Sequence, residues 1–356
     1  MTYFLKSGNR FNVSTKESMD LHESLPVGNY TVKFDKMAEY FYLEEIDSFE
    51  IKGKIYGETI QQSQRILHTF EDRSSSTGVL LTGEKGSGKT LLAKMLSVQA
   101  AKQGIPTIVI NAPWCGDAFN AFIQMIEQPV IILFDEFEKV YDEKDQEKML
   151  TLLDGVYPSK KLFILTCNDR WRVNEHIRNR PGRIYYMFEY KGLSQEFVTE
   201  YCEDNLQNKE HIPAVCRITG LFDQFHFDML KAMVEEMNRF GETPQEAIKW
   251  LNARPEFGAA STYSVNLQIK GIEIPEKDTD NHGKWTGNPL MRGITIEYKD
   301  RTDVEGEDYD WRGVQFAGGD LRQVDPTGGK FVFVNSEGDR VVLTRVQERS
   351  FYWGAI

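Results

Sequence analysis

At 356 residues the chain is longer than one typical compact domain, so we expect two or three domains. The formal net charge of −12 argues against a non-specific nucleic-acid binder. No apolar run reaches the roughly 20 residues that span a bilayer, and the first ten residues lack the apolar segment of a secretory signal. The four cysteines form no Cys-x-x-Cys pair, so neither a zinc site nor a disulfide framework is indicated. A reduced, cytoplasmic protein without a membrane segment fits these features best.

Residues 1–54 are predicted to be β-rich. Residues 30–34 alternate between apolar and polar side chains, and residues 40–43 and 49–51 are rich in aromatic and β-branched residues. Two interpretations remain open for this N-terminal part. It is either a small accessory or substrate-contacting domain, or a packing extension of the domain that follows.

Residues 83–90 read GEKGSGKT, a complete G-x-x-x-x-G-K-T motif. The motif follows a short apolar strand predicted over 78–82 and precedes a helix predicted from 90 to 104. In this context the backbone N–H groups of the loop and the helix N-terminus bind a phosphate. Lys89 can reach the β- and γ-phosphates, and the Thr90 hydroxyl can ligate Mg²⁺. The residues predicted to bind the nucleotide are Gly83, Gly86, Ser87, Gly88, Lys89, Thr90 and Leu91.

The second strong signal is the segment 130–136, which reads VIILFDE. Its unbroken apolar run predicts a strand buried on both faces, as a parallel sheet requires. The two carboxylates at its C-terminal end are then expected beside the phosphate loop. Asp135 is predicted to hold Mg²⁺, directly or through water, and Glu136 to orient and polarise the attacking water.

A further buried strand is predicted over 161–168 and ends at Asn168. The Asn168 amide can hydrogen-bond both the γ-phosphate and the lytic water, and the alternative is a plain strand-end turn. Residues 178–183 read RNRPGR, and the Pro-Gly turn holds Arg180 and Arg183 in a rigid presentation. Guanidinium groups suit the negative charge of a phosphoryl-transfer transition state.

The phosphate loop, the Asp-Glu strand, the Asn-tipped strand and the Arg-Pro-Gly-Arg turn, in this order, resemble the AAA+ ATPases. Within them the chain is similar to the AAA family proper, which includes protein unfoldases and membrane-protease ATPase modules, and it resembles ATPases that tailed phages encode. The resemblance covers residues 50–254. It implies an α/β fold with a P-loop parallel sheet over 55–190, a helical lid over 191–254, and ATP and Mg²⁺ as cofactors.

The resemblance also implies a role for each motif residue. These roles are Walker A (Lys89 and Thr90), Walker B (Asp135 and Glu136), sensor 1 (Asn168), arginine fingers (Arg180 and Arg183) and an adenine-contacting segment (Tyr56 and Gly57). Arginine fingers act in a neighbouring subunit's site, so the resemblance implies a homo-oligomeric ring, usually a hexamer. The alternative for the two arginines is a surface turn paired with local acids.

Residues 114–116, Trp-Cys-Gly, have the form and the place of the family's first pore loop. In unfoldases the aromatic residue of that loop grips a threaded polypeptide, and the resemblance implies this role for Trp114. The alternative is a packed indole, because a Trp beside Pro and Gly in a loop is more often packed than exposed. The spacing from Trp114 to Asp135 is also shorter than in many unfoldases, and no sensor 2 arginine is evident near Phe225.

From residue 255 onward the sequence predicts a small antiparallel β domain. Glycine becomes frequent, and short alternating segments are separated by turn sequences. The aromatic residues of 349–354 either fill its core or form a docking tail.

The leading functional hypothesis is a ring-forming ATPase that remodels or threads a protein partner, bound through the Trp114 loop and the β domains. A DNA-linked ATPase of replication, recombination or packaging is the first alternative, disfavoured by the acidic charge and the lack of a basic–aromatic run. A nucleotide-switched assembly scaffold is the second.

Overall fold

The computed structural model describes most of the chain. The described residues are 2–7, 10–15, 20, 22–83, 85–154, 160–190, 192–221, 225–251, 261–290, 293–300, 310–324 and 329–346. The aromatic segment 349–354 and position 84 of the phosphate loop therefore lie outside them. The chain separates into two compact units, Met1–Tyr190 and Lys191–Ile356.

The first unit is built on a seven-stranded sheet with helices on both faces. Its elements in chain order are β1 (Thr2–Ser7), β2 (Arg10–Thr15), β3 (Asn29–Asp35), β4 (Tyr40–Ile46), α1 (Thr59–Asp72), β5 (Thr77–Gly83), α2 (Lys89–Ala101), β6 (Thr107–Ile110), α3 (Asp117–Gln124), β7 (Val130–Phe134), α4 (Phe137–Val140), α5 (Glu143–Leu153), β8 (Lys161–Cys167), the 3₁₀ turn Arg170–Arg172, α6 (Glu175–Arg178) and β9 (Tyr186–Tyr190).

The strand order is β4-β3-β6-β7-β8-β5-β9, and every pair in it except β3–β4 is parallel. Strands β7 and β8 are buried along their whole length. This burial explains their continuous apolar sequences. Parallel strands end at the same edge of a sheet, so the C-terminal ends of β5, β7 and β8 lie together. The predicted α/β P-loop fold is confirmed.

Both faces of this sheet are covered by packed apolar side chains. On β5, Val79 and Leu81 share one cluster with helices α1 and α2, whereas Leu80 belongs to the cluster on the opposite face. That second cluster includes Phe119 of α3 and Met149 of α5. The alternation along β5 follows from the period of two in a strand, which lets one strand contribute to both cores. The resulting rigid layer fixes the positions of the loops at its edge.

The N-terminal strands β3 and β4 extend the same sheet. Strand β3 is hydrogen-bonded in parallel to β6, with Tyr30 beside Ile108, and β4 pairs with the outer side of β3. The boundary that the sequence suggested at residue 54 therefore does not separate these strands from the following domain, and the packing-extension interpretation describes residues 29–46. Among the described strands, β1 and β2 pair with each other alone, as a two-stranded hairpin.

The second unit contains helices followed by strands. The helices are α7 (Gln195–Asn205), α8 (Ile212–Leu221), α9 (Phe227–Phe240) and α10 (Pro244–Trp250). The strands are β10 (Ser261–Ile269), β11 (Ile272–Ile274), β12 (Lys284–Gly287), β13 (Ile294–Asp300), β14 (Asp310–Phe316), β15 (Leu321–Val324), β16 (Lys330–Val334) and β17 (Arg340–Arg345). No helix in the described ranges is both long and apolar enough to cross a membrane.

The strands of the second unit form two antiparallel sheets. One has the order β11-β10-β17-β16-β15 with β12 also paired to β10, and the other is the pair β13–β14. Their inward side chains share one apolar cluster that includes Leu267, Phe316, Phe333 and Leu343. The β-rich region predicted after residue 255 is therefore present, with its own core.

Candidate active site

The phosphate loop follows β5 and is shaped by glycines with positive φ. The φ angles are 139° at Gly83, 76° at Gly86 and 103° at Gly88. A Cβ atom at Gly83 would lie 2.6 Å from the carbonyl oxygen of Tyr190, so this position also requires glycine for space. The Ser87 hydroxyl is buried and has no hydrogen-bond partner among the described residues. The loop therefore contains a buried polar group that no described residue satisfies.

Lys89, the first residue of α2, connects the loop to the end of β8. Its side chain is 7% exposed, and its Nζ donates to the carbonyl oxygen of Gly83 and, at 3.2 Å, to Oδ1 of Asn168. Burial lowers the pKa of Lys89, and the neighbouring Cys167 and Glu138 oppose that shift. The structure thus brings together the two residues that the sequence predicted as Walker A lysine and sensor 1.

Asp135 and Glu136 are held by a threonine on the neighbouring strand. The Thr166 hydroxyl donates to Oδ1 of Asp135 at 2.7 Å and accepts the backbone N–H of Glu136 at 2.9 Å. A hydroxyl can donate once and accept as well, so one side chain fixes both residues. Glu136 has a φ of 50°, in the left-handed region. Sequence reasoning missed Thr166, although a polar residue inside a buried apolar strand was a signal.

The Glu136 carboxylate is partly exposed to solvent. It is 43% exposed, and Oε1 accepts a hydrogen bond from Nζ of Lys139 at 2.6 Å. This hydrogen bond lowers the pKa of Glu136. Glu136 is therefore ionised near neutral pH, which is the form that can accept a hydrogen bond from water.

Asn168 is held through its backbone as well as its side chain. Its N–H donates at 2.9 Å to Oε1 of Glu138, the first-turn acid of α4. Its Oδ1 accepts from Lys89. Glu138 was not predicted, because its position two residues after Glu136 gave no separate motif. The strand-end site now comprises Lys89, Asp135, Glu136, Glu138, Thr166 and Asn168.

The two predicted arginine fingers have different environments. Arg183 is buried, and its guanidinium makes two hydrogen bonds to Asp154, of 2.6 and 2.7 Å, and one of 2.6 Å to the carbonyl oxygen of His176. The bonds to Arg183 lower the pKa of Asp154. Arg180 is 61% exposed and lies 3.2 Å from Asp154. The geometry therefore contradicts the prediction that Arg183 reaches a neighbouring site, because its donors are used inside its own chain.

The turn that carries these arginines is packed directly against β5. A Cβ atom at Gly78 would collide with the carbonyl oxygen of Arg183, and the N–H of Tyr185 donates to the Gly78 carbonyl at 2.8 Å. The alternative interpretation, in which the arginine pairs with a local acid, describes Arg183 and Asp154. For Arg180 the finger role remains a prediction.

Trp114 is packed against the N-terminal strands. Its ring lies 5.4 Å from that of Phe41 on β4, in an edge-to-face arrangement, and its Nε1 donates to the carbonyl oxygen of Val32 on β3 at 3.3 Å. The buried Tyr141 hydroxyl lies 3.2 Å from the Ala112 carbonyl oxygen and 3.0 Å from that of Trp114. These contacts oppose the prediction of a gripping pore-loop aromatic, because the indole is already used to join the loop to β3 and β4.

The predicted adenine-contacting residues precede α1. Gly57 has a φ of 69°, and the Tyr56 ring lies 5.1 Å from Nζ of Lys54. Their contact with a nucleotide remains a prediction.

Tyr190, at the end of β9, lies beside the phosphate loop. Its ring is 3.8 Å from the position of a Cβ atom at Gly88, and its hydroxyl is 3.3 Å from Oε1 of Gln62 on α1.

Two further predicted nucleotide-binding residues lie in the first turn of α2. Thr90 is exposed, and Leu91 is half-buried. Thr90 is therefore accessible next to the loop, whereas Leu91 contributes mainly through its backbone position at the helix N-terminus.

Comparison with known proteins decides which kind of domain this is. Residues 79–189 match the family described as ATPase family associated with various cellular activities (AAA). These residues form an AAA-family ATPase domain. The match includes the phosphate loop, Asp135, Glu136, Asn168 and the arginine turn.

Relatives of the AAA domain are found in several larger proteins. The chain is 27% identical over 206 residues to peroxisomal ATPase PEX1 of Cricetulus griseus, covering 48% of this chain and 16% of the relative. It is 30% identical over 159 residues to the ATP-dependent zinc metalloprotease FtsH of Halothermothrix orenii, covering 36% and 25%. It is 30% identical over 127 residues to the nuclear valosin-containing protein-like protein of Mus musculus, covering 30% and 14%.

The chain thus spans a quarter or less of the length of these three relatives. Among solved structures, it is similar to the FIGL-1 AAA domain in complex with ADP, with 17% identity and a TM-score of 0.41. That similarity covers 57% of this chain and 84% of the other.

Proposed function

We propose that the chain hydrolyses Mg²⁺-bound ATP in a ring of identical subunits and uses the reaction to remodel a protein partner. The observation that carries the proposal is the convergence of polar side chains from three strand ends: Lys89 contacts Asn168, while Thr166 fixes Asp135 and Glu136. Phosphoryl transfer depends mainly on positioning and charge stabilisation, and this cluster provides both.

The donor set fits a triphosphate with Mg²⁺. The Ser87 hydroxyl, buried without a partner among the described residues, is available to a phosphate oxygen. The Thr90 hydroxyl and the Asp135 carboxylate are hard oxygen donors, which Mg²⁺ prefers, and these two residues would hold it. When bound, Mg²⁺ would offset the negative charge of the phosphates.

The residues of the chain then have distinct tasks. The Lys89 ammonium, which now contacts a backbone carbonyl, can exchange that acceptor for phosphate oxygens. The ionised Glu136 accepts a hydrogen bond from the attacking water and aligns it. The Asn168 amide, fixed at its backbone, supports the same water or the γ-phosphate.

The ring and the protein partner are inferred from Arg180 and from one relative. Of the two arginines, Arg180 is the exposed one. Because its side chain is 61% exposed, breaking its ion pair with Asp154 costs little free energy, and Arg180 can reach a neighbouring subunit. One relative is an ATP-dependent zinc metalloprotease, whose substrates are proteins. The packed Trp114 removes the argument for threading through that loop, so the proposal is remodelling without a role for Trp114 as a grip.

The test is ATP turnover by the purified chain, alone, with an unfolded polypeptide such as casein, and with single- or double-stranded DNA. The proposal predicts turnover that increases when subunits assemble and that rises with the polypeptide. Stimulation by DNA with a steep salt dependence would contradict the protein-partner part and favour a DNA-linked ATPase. Sedimentation with and without ATP checks the ring, and a monomer under both conditions would contradict it.

A further inference from the structure

Glu138 is an acidic side chain in the active site that the proposed reaction does not use. It lies on α4, in the turn that follows Glu136. One carboxylate oxygen, Oε1, accepts the backbone N–H of Asn168 at 2.9 Å. The other oxygen, Oε2, is buried and has no hydrogen-bond partner among the described residues. Glu138 is therefore anchored to Asn168 by half of its carboxylate.

A plain structural cap does not explain this arrangement. Capping one N–H needs a single acceptor, and a buried carboxylate oxygen without a partner costs free energy. Glu138 also lies electrostatically close to Lys89, and it raises the pKa of that lysine more than Asp135 or Glu136 does. The Glu138 carboxylate therefore lies near both Lys89 and Asn168, the two residues whose side chains are hydrogen-bonded in the site.

The connection to the reaction runs through Asn168. Its backbone N–H is bonded to Glu138, and its side-chain Oδ1 accepts from Lys89 at 3.2 Å. Fixing the backbone of a strand-end residue limits the directions in which its side chain can point. A small displacement of the Asn168 amide would misalign the groups that face the γ-phosphate and the water, and such displacements lower rates strongly.

We propose that Glu138 is a positioning residue for ATP hydrolysis, which holds the Asn168 amide in its working orientation through the hydrogen bond from the Asn168 N–H to Oε1. The residue is expected to act on the hydrolysis step and not on nucleotide binding, because its hydrogen bond goes to Asn168. This inference rests on the proposed function, since it assigns a residue to the same site.

Three variants separate the hydrogen bond from the charge and from the fold. Glu138→Ala removes the acceptor, and kcat is expected to fall about 10-fold to 100-fold, with the Kd for a fluorescent ATP analogue unchanged. Glu138→Gln keeps an acceptor oxygen for the Asn168 N–H and should restore kcat to within about 3-fold of the wild type. Glu147→Ala, which removes an exposed acid of α5, is the matched control and should leave kcat unchanged.

A double-variant cycle tests the route through Asn168. If Glu138 acts through Asn168, then Glu138→Ala in an Asn168→Ala background should lower kcat by less than about 2-fold further. The inference is overturned if Glu138→Ala leaves kcat unchanged, if Glu138→Gln is as impaired as Glu138→Ala, or if the two single effects multiply. A wild-type protein without turnover would instead overturn the proposed function. Thermal unfolding of each variant identifies any that fail to fold. If Glu138→Ala does not fold, the kcat of Glu138→Gln relative to the wild type is the remaining test.

Discussion

The strand-end site differs from two other segments that the sequence predicted to be functional. These segments are the arginine turn (residues 178–183) and the Trp114 loop (residues 112–116). The difference is whether the polar side chains already have partners within the chain. Ser87 in the phosphate loop and Glu138 in the strand-end site each keep a buried polar atom without a partner among the described residues. In the arginine turn, the Arg183 donors are taken by Asp154 and His176, and in the loop the Trp114 indole is taken by β3 and β4.

Hydrogen-bond partners within the chain separate functional from structural residues where one motif predicts both. A buried polar group that the chain leaves unsatisfied is costly, so its presence favours a ligand or a reaction. A group whose polar nitrogens each have a partner within the chain contributes to the fold. By this criterion Ser87 and Glu138 remain candidates for chemistry, whereas Arg183 and Trp114 contribute to the packing of the domain.

The largest expected effect separates the two arginines. Arg183→Ala leaves a partly buried Asp154 without its main partner, and we expect the free energy of unfolding to fall by about 3 kcal/mol. Arg180→Ala, with an exposed guanidinium, should cost less than about 1 kcal/mol. Urea unfolding measures both. In the assembled protein, Arg180→Ala should lower ATP turnover, and an Arg183→Ala protein of normal stability but poor turnover would restore the finger assignment for Arg183.

A second test uses a buried charge whose contacts are all structural. Lys161 at the start of β8 is 2% exposed, and its Nζ donates to the carbonyl oxygens of Ile126 and Gln128. Burial lowers the pKa of Lys161 from 10.5 to about 8. The unfolded chain therefore binds more protons between pH 8 and 10.5, so this residue makes stability rise with pH across that window, by about 3 kcal/mol in total at about 1.36 kcal/mol per pKa unit.

Lys161→Met should remove this pH dependence, which urea unfolding at pH 7.5, 9 and 10.5 would show as a smaller rise than in the wild type. Lys102→Met, at the exposed C-terminal end of α2, is the control and should keep the rise. Equal pH profiles for wild type and Lys161→Met would mean that Lys161 is not the titrating group.

The smallest effect concerns the Trp114 loop. Trp114→Ala removes the contact with Phe41 and the bond to Val32, so the free energy of unfolding should fall by about 2 kcal/mol. Any stimulation of ATP turnover by casein should survive at temperatures where the variant is folded. Trp250→Ala, which removes a side chain that is 77% exposed, is the control for stability. A Trp114→Ala protein with wild-type stability but no stimulation by casein would support the pore-loop role of Trp114.

Much of the ATPase fold could be predicted because its signals are local. The apolar runs of β7 and β8 and the glycine motif before α2 specify buried strands and a phosphate loop without reference to distant residues. The pairing of β3 with β6 could not be predicted, since nearly 80 residues separate Tyr30 from Ile108 and their partnership depends on tertiary packing.

The same limit applies within the site. Asp135, Glu136 and Asn168 follow apolar strands and were therefore visible in the sequence. The burial of Arg183 depends on Asp154, 29 positions earlier in the chain, and the role of Thr166 depends on the neighbouring strand. Such pairs become apparent only when the strands are placed side by side.

The most direct test of Glu136 as the residue that aligns the attacking water is phosphate release from Mg²⁺-ATP by the purified wild-type chain and by Glu136→Gln. The ATP affinity of both proteins is measured as well. Glu136 is the ionised residue assigned to the attacking water, so the account predicts equal affinity and turnover reduced about 100-fold or more in the variant. A Glu136→Gln protein that hydrolyses ATP within a few-fold of the wild-type rate would contradict the assignment of the strand-end site.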